Sequence, residues 1–196
     1  MHLLAVVECG PGRRQQASEG AAAGRVGLTS PNANPGRIRV SETSQRESAT
    51  GASRRMPVVF IHDAAIDDFI ATLLLVAMPA VDLKGIIIVN ADCVPEPAMD
   101  VASRLLQFMQ RPDIPHALSS ARGWNPFPWP YRGDCVTFSG IPSLRPYSST
   151  VPTPPPSGDD LLVELLEAAI TSRQPLTVLL TTAFTPLTDV MSRRAD

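Results

Sequence analysis

Three carboxylates, Asp63, Asp67 and Asp68, fall within six residues directly after the apolar run Val58-Val59-Phe60-Ile61. Carboxylates this close repel one another unless positive charge sits among them. A hard divalent cation supplies that charge, and calcium takes several oxygen ligands, some of them bidentate carboxylates. A cation so held lowers the pKa of a bound water, and a neighbouring carboxylate can accept the proton. The competing reading is local: Asp67 and Asp68 suit the partially positive first turn of a helix, and Asp63 suits a turn. Spacing alone weighs the two equally. A second polar group, Asn90-Ala91-Asp92-Cys93, follows the next apolar run. By itself it reads as a pair of loop-formers, although a sheet would set Asn90 and Asp92 beside the first cluster.

The elements that must position these groups follow from hydrophobic pattern. Val58 to Ile61 is continuous, apolar and rich in β-branched residues, as a strand buried on both faces should be. Residues 69–76 form a helix opened by Asp67 and Asp68 and ended by Pro79. Residues 83–89 predict a second strand. A second helix is expected from Pro95 or Glu96 to Gln110, with Met99, Leu105, Leu106 and Met109 inward, and residues 114–118 form a third strand. Residues 121–157 hold nine prolines, both tryptophans and both tyrosines without a periodic element. A loop this long is functional or poorly ordered. Beyond it lie an amphipathic helix over 159–172, capped by Ser157 or Asp159, a strand over 176–180 and a helix from Pro186. The β-α-β-α-β order predicts an α/β fold: an open, mostly parallel, Rossmann-like sheet with flanking helices. Ligands of such sheets lie outside the carboxyl ends of the strands, here 62–68, 90–94, 119–133 and 181–186.

Composition excludes several classes. The 196 residues, 44% apolar, can fill the core of one domain. The longest uncharged apolar stretches, 69–81 and 85–89, fall short of the roughly 18 residues of a membrane span. A formal charge of −2 argues against neutralising a nucleic-acid backbone. Three cysteines are too few and scattered for a disulfide framework or a four-ligand zinc site. The charge is divided: residues 1–55 sum to +4 and residues 56–196 to −6. The first stretch is rich in Gly, Ser, Ala and Arg, so 1–55 is expected to be a disordered extension and 56–196 an α/β domain. The opening MHLLAVVE has no basic start, too weak for a secretory signal, and a cytoplasmic location is expected.

The run from Val58 to Phe69, reading VVFIHDAAIDDF, resembles the aspartate-rich strand-turn-helix motif of nucleoside hydrolases, D-x-D-x-x-x-D-D. Asn90-Ala91-Asp92-Cys93, then Asn125-Pro126-Phe127-Pro128, are similar to the branch preferring inosine, adenosine and guanosine. TAFTPLTDV over 182–190 is similar to the family's T-G-P-L-T-N-V turn. Ile61 stands where the motif has its first aspartate, Ala64-Ala65 where it has a glycine-containing pair, and Thr185 where the turn has glycine. A haloacid dehalogenase-type phosphatase would need D-x-D after the strand, and only Asp63 fits. The nucleoside hydrolase resemblance covers about 57–191. It implies hydrolysis of the N-glycosidic bond of purine ribonucleosides to base and ribose. Asp63 would then be a calcium ligand and the general base for the attacking water, and Asp68 a bidentate calcium ligand. The backbone carbonyl of Phe184 would add to the Ca2+ shell, and Asp67 would hold ribose hydroxyls. Asn90 and Asp92 would face the substrate, Asp92 at the purine, with Tyr131, or Trp129 in a slipped alignment, stacking on the base. The family continues beyond Asp196 with a further calcium-binding aspartate, more sugar contacts and an aromatic or histidine at the base. The chain is accordingly expected to be the N-terminal part of that fold. The alternative is a non-catalytic relative that keeps the fold and at most binds metal or nucleoside. Homo-oligomerisation is left open.

Overall fold

The computed structural model describes residues 54–122 and 128–193 and the backbone of residues 5–9, without the side chains of Trp129 and Tyr131. In chain order the elements are β1 (Ala5–Cys9), β2 (Met56–His62), α1 (Ile66–Ala77), β3 (Val81–Asn90), α2 (Pro95–Phe108) and β4 (His116–Arg122). Two short helices follow, α3 (Trp129–Arg132) and α4 (Asp134–Ser139), then a 3-10 turn at Pro142–Leu144. The chain continues through α5 (Gly158–Ser172), β5 (Leu176–Leu180) and α6 (Thr185–Ser192). One sheet of order β1-β5-β2-β3-β4 forms the middle layer. β2 runs parallel to β3 and β5, and β3 parallel to β4.

The expected α/β architecture is therefore observed, and alternation along the strands explains it. Val58, Phe60, Ile86 and Ile88 turn to one face and pack with Phe69, Met99, Leu105 and Leu106. Val59, Ile61, Ile87 and Val89 turn to the other and meet Leu162, Leu166, Leu187 and Val190. α1 and α2 cover the first face, α5 and α6 the second. Both faces being covered, the central strands carry continuous apolar runs, Val58–Ile61 in β2 and Ile86–Val89 in β3, each such side chain contributing about 1.5–3 kcal/mol by burial.

Four features depart from expectation. β1 lies inside the stretch expected to be disordered and pairs antiparallel with β5, Val7 opposite Val178; residues 10–53 lie outside the described residues. β4 starts at His116 and runs to Arg122 through Ser119 and Ser120. It is an edge strand, where polar residues are tolerated, so the apolar pattern understates its length. α2 ends at Phe108, because Gln110 takes a left-handed conformation (φ 58°) and Arg111 N–H bonds back to the Leu106 carbonyl, closing the helix. The proline-rich loop contains α3, α4 and the 3-10 turn.

At the start of α5 the Ser157 hydroxyl accepts the Asp160 N–H at 3.2 Å, confirming the first of the two expected caps. Asp159 instead accepts from the hydroxyls of Ser119 and Ser120, fastening α5 to the end of β4. Gly158 makes that contact possible: a Cβ there would meet Ser119 N at 2.8 Å and Leu118 C at 2.9 Å. Among the described residues no helix is long and apolar enough to cross a membrane.

Candidate active site

The carboxyl ends of β2 and β5, neighbours in the sheet, build the site. Thr181 N–H extends their pairing by donating to the Ile61 carbonyl at 3.1 Å, which brings Thr181 and Thr182 alongside the turn after β2. There Thr182 Oγ1 donates to Asp63 Oδ2 at 3.1 Å, and Thr181 Oγ1 to Asp68 Oδ1 at 2.6 Å. Asp63 and Asp68 are both buried.

The turn between them is tight. Ala64 adopts φ 63°, the left-handed region an alanine rarely enters, and its N–H reaches His62 Nδ1 at 3.1 Å. Ala65, the residue before α1, donates its N–H to Asp68 Oδ2 at 3.2 Å, the returning half of a capping box. His62 Nδ1 also stands 3.7 Å from Asp68 Oδ2, and the ring stacks on Phe60 at 4.6 Å. The neutral imidazole accepts the Ala64 N–H; the protonated form becomes the cation beside Asp68.

The two carboxyls are driven apart electrostatically. Burial, then the Asp68 charge, pushes Asp63 up to about 7, against the Thr182 hydroxyl; Asp92 adds to the rise. Burial acts on Asp68 in the same direction but is outweighed by His62 and by the Thr181 hydroxyl, so Asp68 falls to about 2. Asp63 Oδ1 is buried with no hydrogen-bond partner among the described residues, as is His62 Nε2.

Of the residues expected at the site, Asp63 and Asp68 meet at its centre. Asp92 is buried on the β3–α2 loop, near enough to bear on Asp63. Asn90 ends β3, and its Oδ1 accepts from Arg132 Nη2 at 2.8 Å. Asp67 is exposed in the first turn of α1. Phe184 precedes α6, and its carbonyl accepts the Thr188 N–H at 2.9 Å and the Thr188 hydroxyl at 3.3 Å. With Thr185 in place of glycine the helix starts there, and this carbonyl serves it. Trp129 and Tyr131 lie on α3; Asn125, Pro126 and Phe127 lie outside the described residues. His62, Thr181, Thr182 and Arg132 were not expected as site residues. All four fall in the strand-end segments singled out from topology, which is the signal that could have found them.

A divalent cation fits part of this arrangement. Asp63 Oδ1 is a buried carboxyl oxygen without a hydrogen-bond partner among the described residues, and Asp68 is ionised beside it. Asp68 already accepts two protein hydrogen bonds, each oxygen keeping one further lone pair. Among the described residues no group of three or more His, Cys, Asp or Glu side chains is arranged as a metal site. The two cavities described, of about 400 Å³ beside His116 and α5 and about 580 Å³ at the amino ends of β2 and β3, lie away from these carboxylates.

A doubly covered, mostly parallel sheet with paired aspartates at a strand end defines an α/β protein with a carboxylate site, and comparison with known proteins narrows the class. Residues 58–195 match the family model for inosine-uridine preferring nucleoside hydrolase, and the chain belongs to that family. A solved inosine-uridine preferring nucleoside hydrolase from Bacillus anthracis is similar at 28% identity and TM-score 0.61, over 71% of this chain and 46% of the other. A plant nucleoside hydrolase shares the fold at 18% identity and TM-score 0.54, over 71% of this chain and 43% of its own. The chain thus spans less than half the length of these solved relatives. No curated protein matches significantly.

Proposed function

We propose that this chain carries the water-activating part of a nucleoside hydrolase acting on purine ribonucleosides, with Asp63 as general base. The observation that carries the reading is the inverted pair: Asp63 raised to about 7 with an unpartnered buried oxygen, beside an ionised Asp68. A base poised near neutrality can take a proton from water at physiological pH. Asp63 and Asp68 would hold a calcium ion, which when bound supplies a Lewis-acidic site that makes water more acidic. Thr182 and Thr181 fix the two carboxyl planes, and the burial of the turn strengthens their charges. Asp67, exposed at the helix start, is placed to meet ribose hydroxyls. Asn90 and Asp92 face the base, with Tyr131 or Trp129 stacking on it. The substrate is then a small soluble nucleoside in the cytoplasm, and no nucleic acid or membrane partner is involved.

The second reading, a non-catalytic relative, is favoured by a different observation. Asp68 and the Phe184 carbonyl are already engaged by protein donors. Release of free purine from inosine or guanosine, with calcium, separates the two. Turnover abolished by Asp63→Asn supports hydrolysis; calcium-dependent nucleoside binding without turnover supports the second reading; turnover unchanged by Asp63→Asn refutes the assignment of the base.

A further inference from the structure

Arg132 sits at the end of α3 and reaches back across the site. Its Nη2 donates to Asn90 Oδ1 and to the Cys93 carbonyl, both at 2.8 Å. The two acceptors bracket Asp92, so one guanidinium grips both ends of the four-residue loop that presents this carboxylate. A second tie lies one turn on: Cys135 Sγ is 3.7 Å from the Val94 carbonyl. The opposite end of the loop is held from within, by Cys93 Sγ on the Val89 carbonyl at 3.4 Å. Arg132 Nε is buried with no hydrogen-bond partner among the described residues. The guanidinium is therefore committed to the loop by one terminal nitrogen rather than to an ion pair of its own.

We propose that Arg132 is a positioning residue, which locks the 90–93 loop onto α3 and thereby fixes Asp92 relative to Asp63 and to the α3 helix that carries Trp129 and Tyr131. The inference rests on the proposed nucleoside site for its functional consequence, while the lock itself is a property of this loop. Both charge-assisted bonds leave the one Nη2, whose two hydrogens are held in the guanidinium plane, whereas a lysine ammonium is a rotating point donor on a stem of different reach. The loop leaves β3 where the pairing to β4 is already irregular, between Ile88 and Asn90, and besides the cysteine contacts its Ala91 N–H bonds back to the Val89 carbonyl at 2.9 Å.

The test compares the parent with Arg132→Met and Arg132→Lys. Amide exchange over 90–94 and labelling of buried Cys93 by a thiol reagent, located by peptide mass, read the lock without any substrate. Inosine binding in calcium, by titration calorimetry, reads its consequence. Arg132→Met should speed Cys93 labelling and weaken inosine binding, each by about tenfold or more, as expected for loss of a charge-assisted donor. Arg132→Lys should fall between, and in a third variant, Arg132→Ala, which vacates the site, added guanidinium well below denaturing concentrations should restore the loop in part, which a general loss of stability would not permit. Unchanged exchange and labelling in Arg132→Met overturn the lock. A loosened loop with unchanged inosine binding overturns its role at the site. A parent that binds no inosine sinks the nucleoside reading alone, and exchange and labelling still decide the lock.

Discussion

Ionising Asp63 in the metal-free protein should cost stability, and replacing it by asparagine should recover that cost. Burial and the Asp68 charge push the folded carboxyl up to about 7, against an ordinary aspartate value of about 4. Between those values the folded state keeps a proton that the unfolded chain has released, so stability falls as pH rises from about 4 through 7 and then levels. Three pH units at about 1.4 kcal/mol each set a ceiling near 4 kcal/mol. Asparagine keeps the shape, its carbonyl can accept from the Thr182 hydroxyl, and its amide can donate towards the ionised Asp68. In chelator at pH 8, Asp63→Asn should therefore be more stable than the parent by about 2–4 kcal/mol, with the two nearly equal at pH 4.

Urea unfolding at the two pH values reads the difference directly. Calcium at a thousand times its Kd should reverse the order at pH 8, because a ligand that binds only the folded parent then adds about 4.1 kcal/mol and little to the variant. Equal stability at pH 8 in chelator would refute the raised carboxyl. An advantage of the same size at both pH values would show that ionisation is not its cause.

Asp68→Ala should lose about 2–4 kcal/mol, because the Ala65 N–H and Thr181 hydroxyl lose their acceptor. Asp68 is depressed to about 2, so its contribution is present above pH 4 and lost as pH falls through 2; the deficit measured by denaturant titration should shrink accordingly, and a deficit constant from pH 7 to 2 would count against the charge. Ala64→Gly should be nearly neutral, since release of left-handed strain offsets the lost methyl and the added chain entropy. Ala102→Gly in the interior of α2 should instead cost about 2 kcal/mol, and equal costs in thermal melts would show that Ala64 is unstrained. Deleting residues 1–10 should lower the melting temperature and promote association by baring the edge of β5; light scattering and melting curves identical to the parent would show that β1 adds nothing.

What the sequence made legible was what depends on neighbours along the chain. The β-branched run of β2 announced a strand buried on both faces, and the strand over 176–180 was placed to the residue. Asp67 and Asp68 marked the start of α1. The pairing of β1 was not legible, because its partner lies some 170 residues away and its own five residues carry no distinguishing pattern. Ser119 and Ser120 hid the reach of β4, because an edge strand needs no apolar period.

The site divides along the same line. A cluster of aspartates after a strand was visible from spacing, but spacing left metal ligand and helix cap equally open, and the structure shows Asp68 serving as a cap while remaining ionised beside Asp63. Part of what tunes the two carboxyls comes from sequence positions more than 110 residues on: Thr181 donates to Asp68 and helps hold it down, while Thr182 donates to Asp63 against the rise that burial imposes. Those contacts exist only because β5 is inserted next to β2 rather than at the far side of β4, a choice of strand order that no local pattern encodes. The difference between the two carboxyls thus has a local part and a topological part: burial and the Asp68 charge raise Asp63 and His62 holds Asp68 down, all within one turn, while the Thr181 hydroxyl that reinforces Asp68 and the Thr182 hydroxyl that tempers Asp63 come from the strand order.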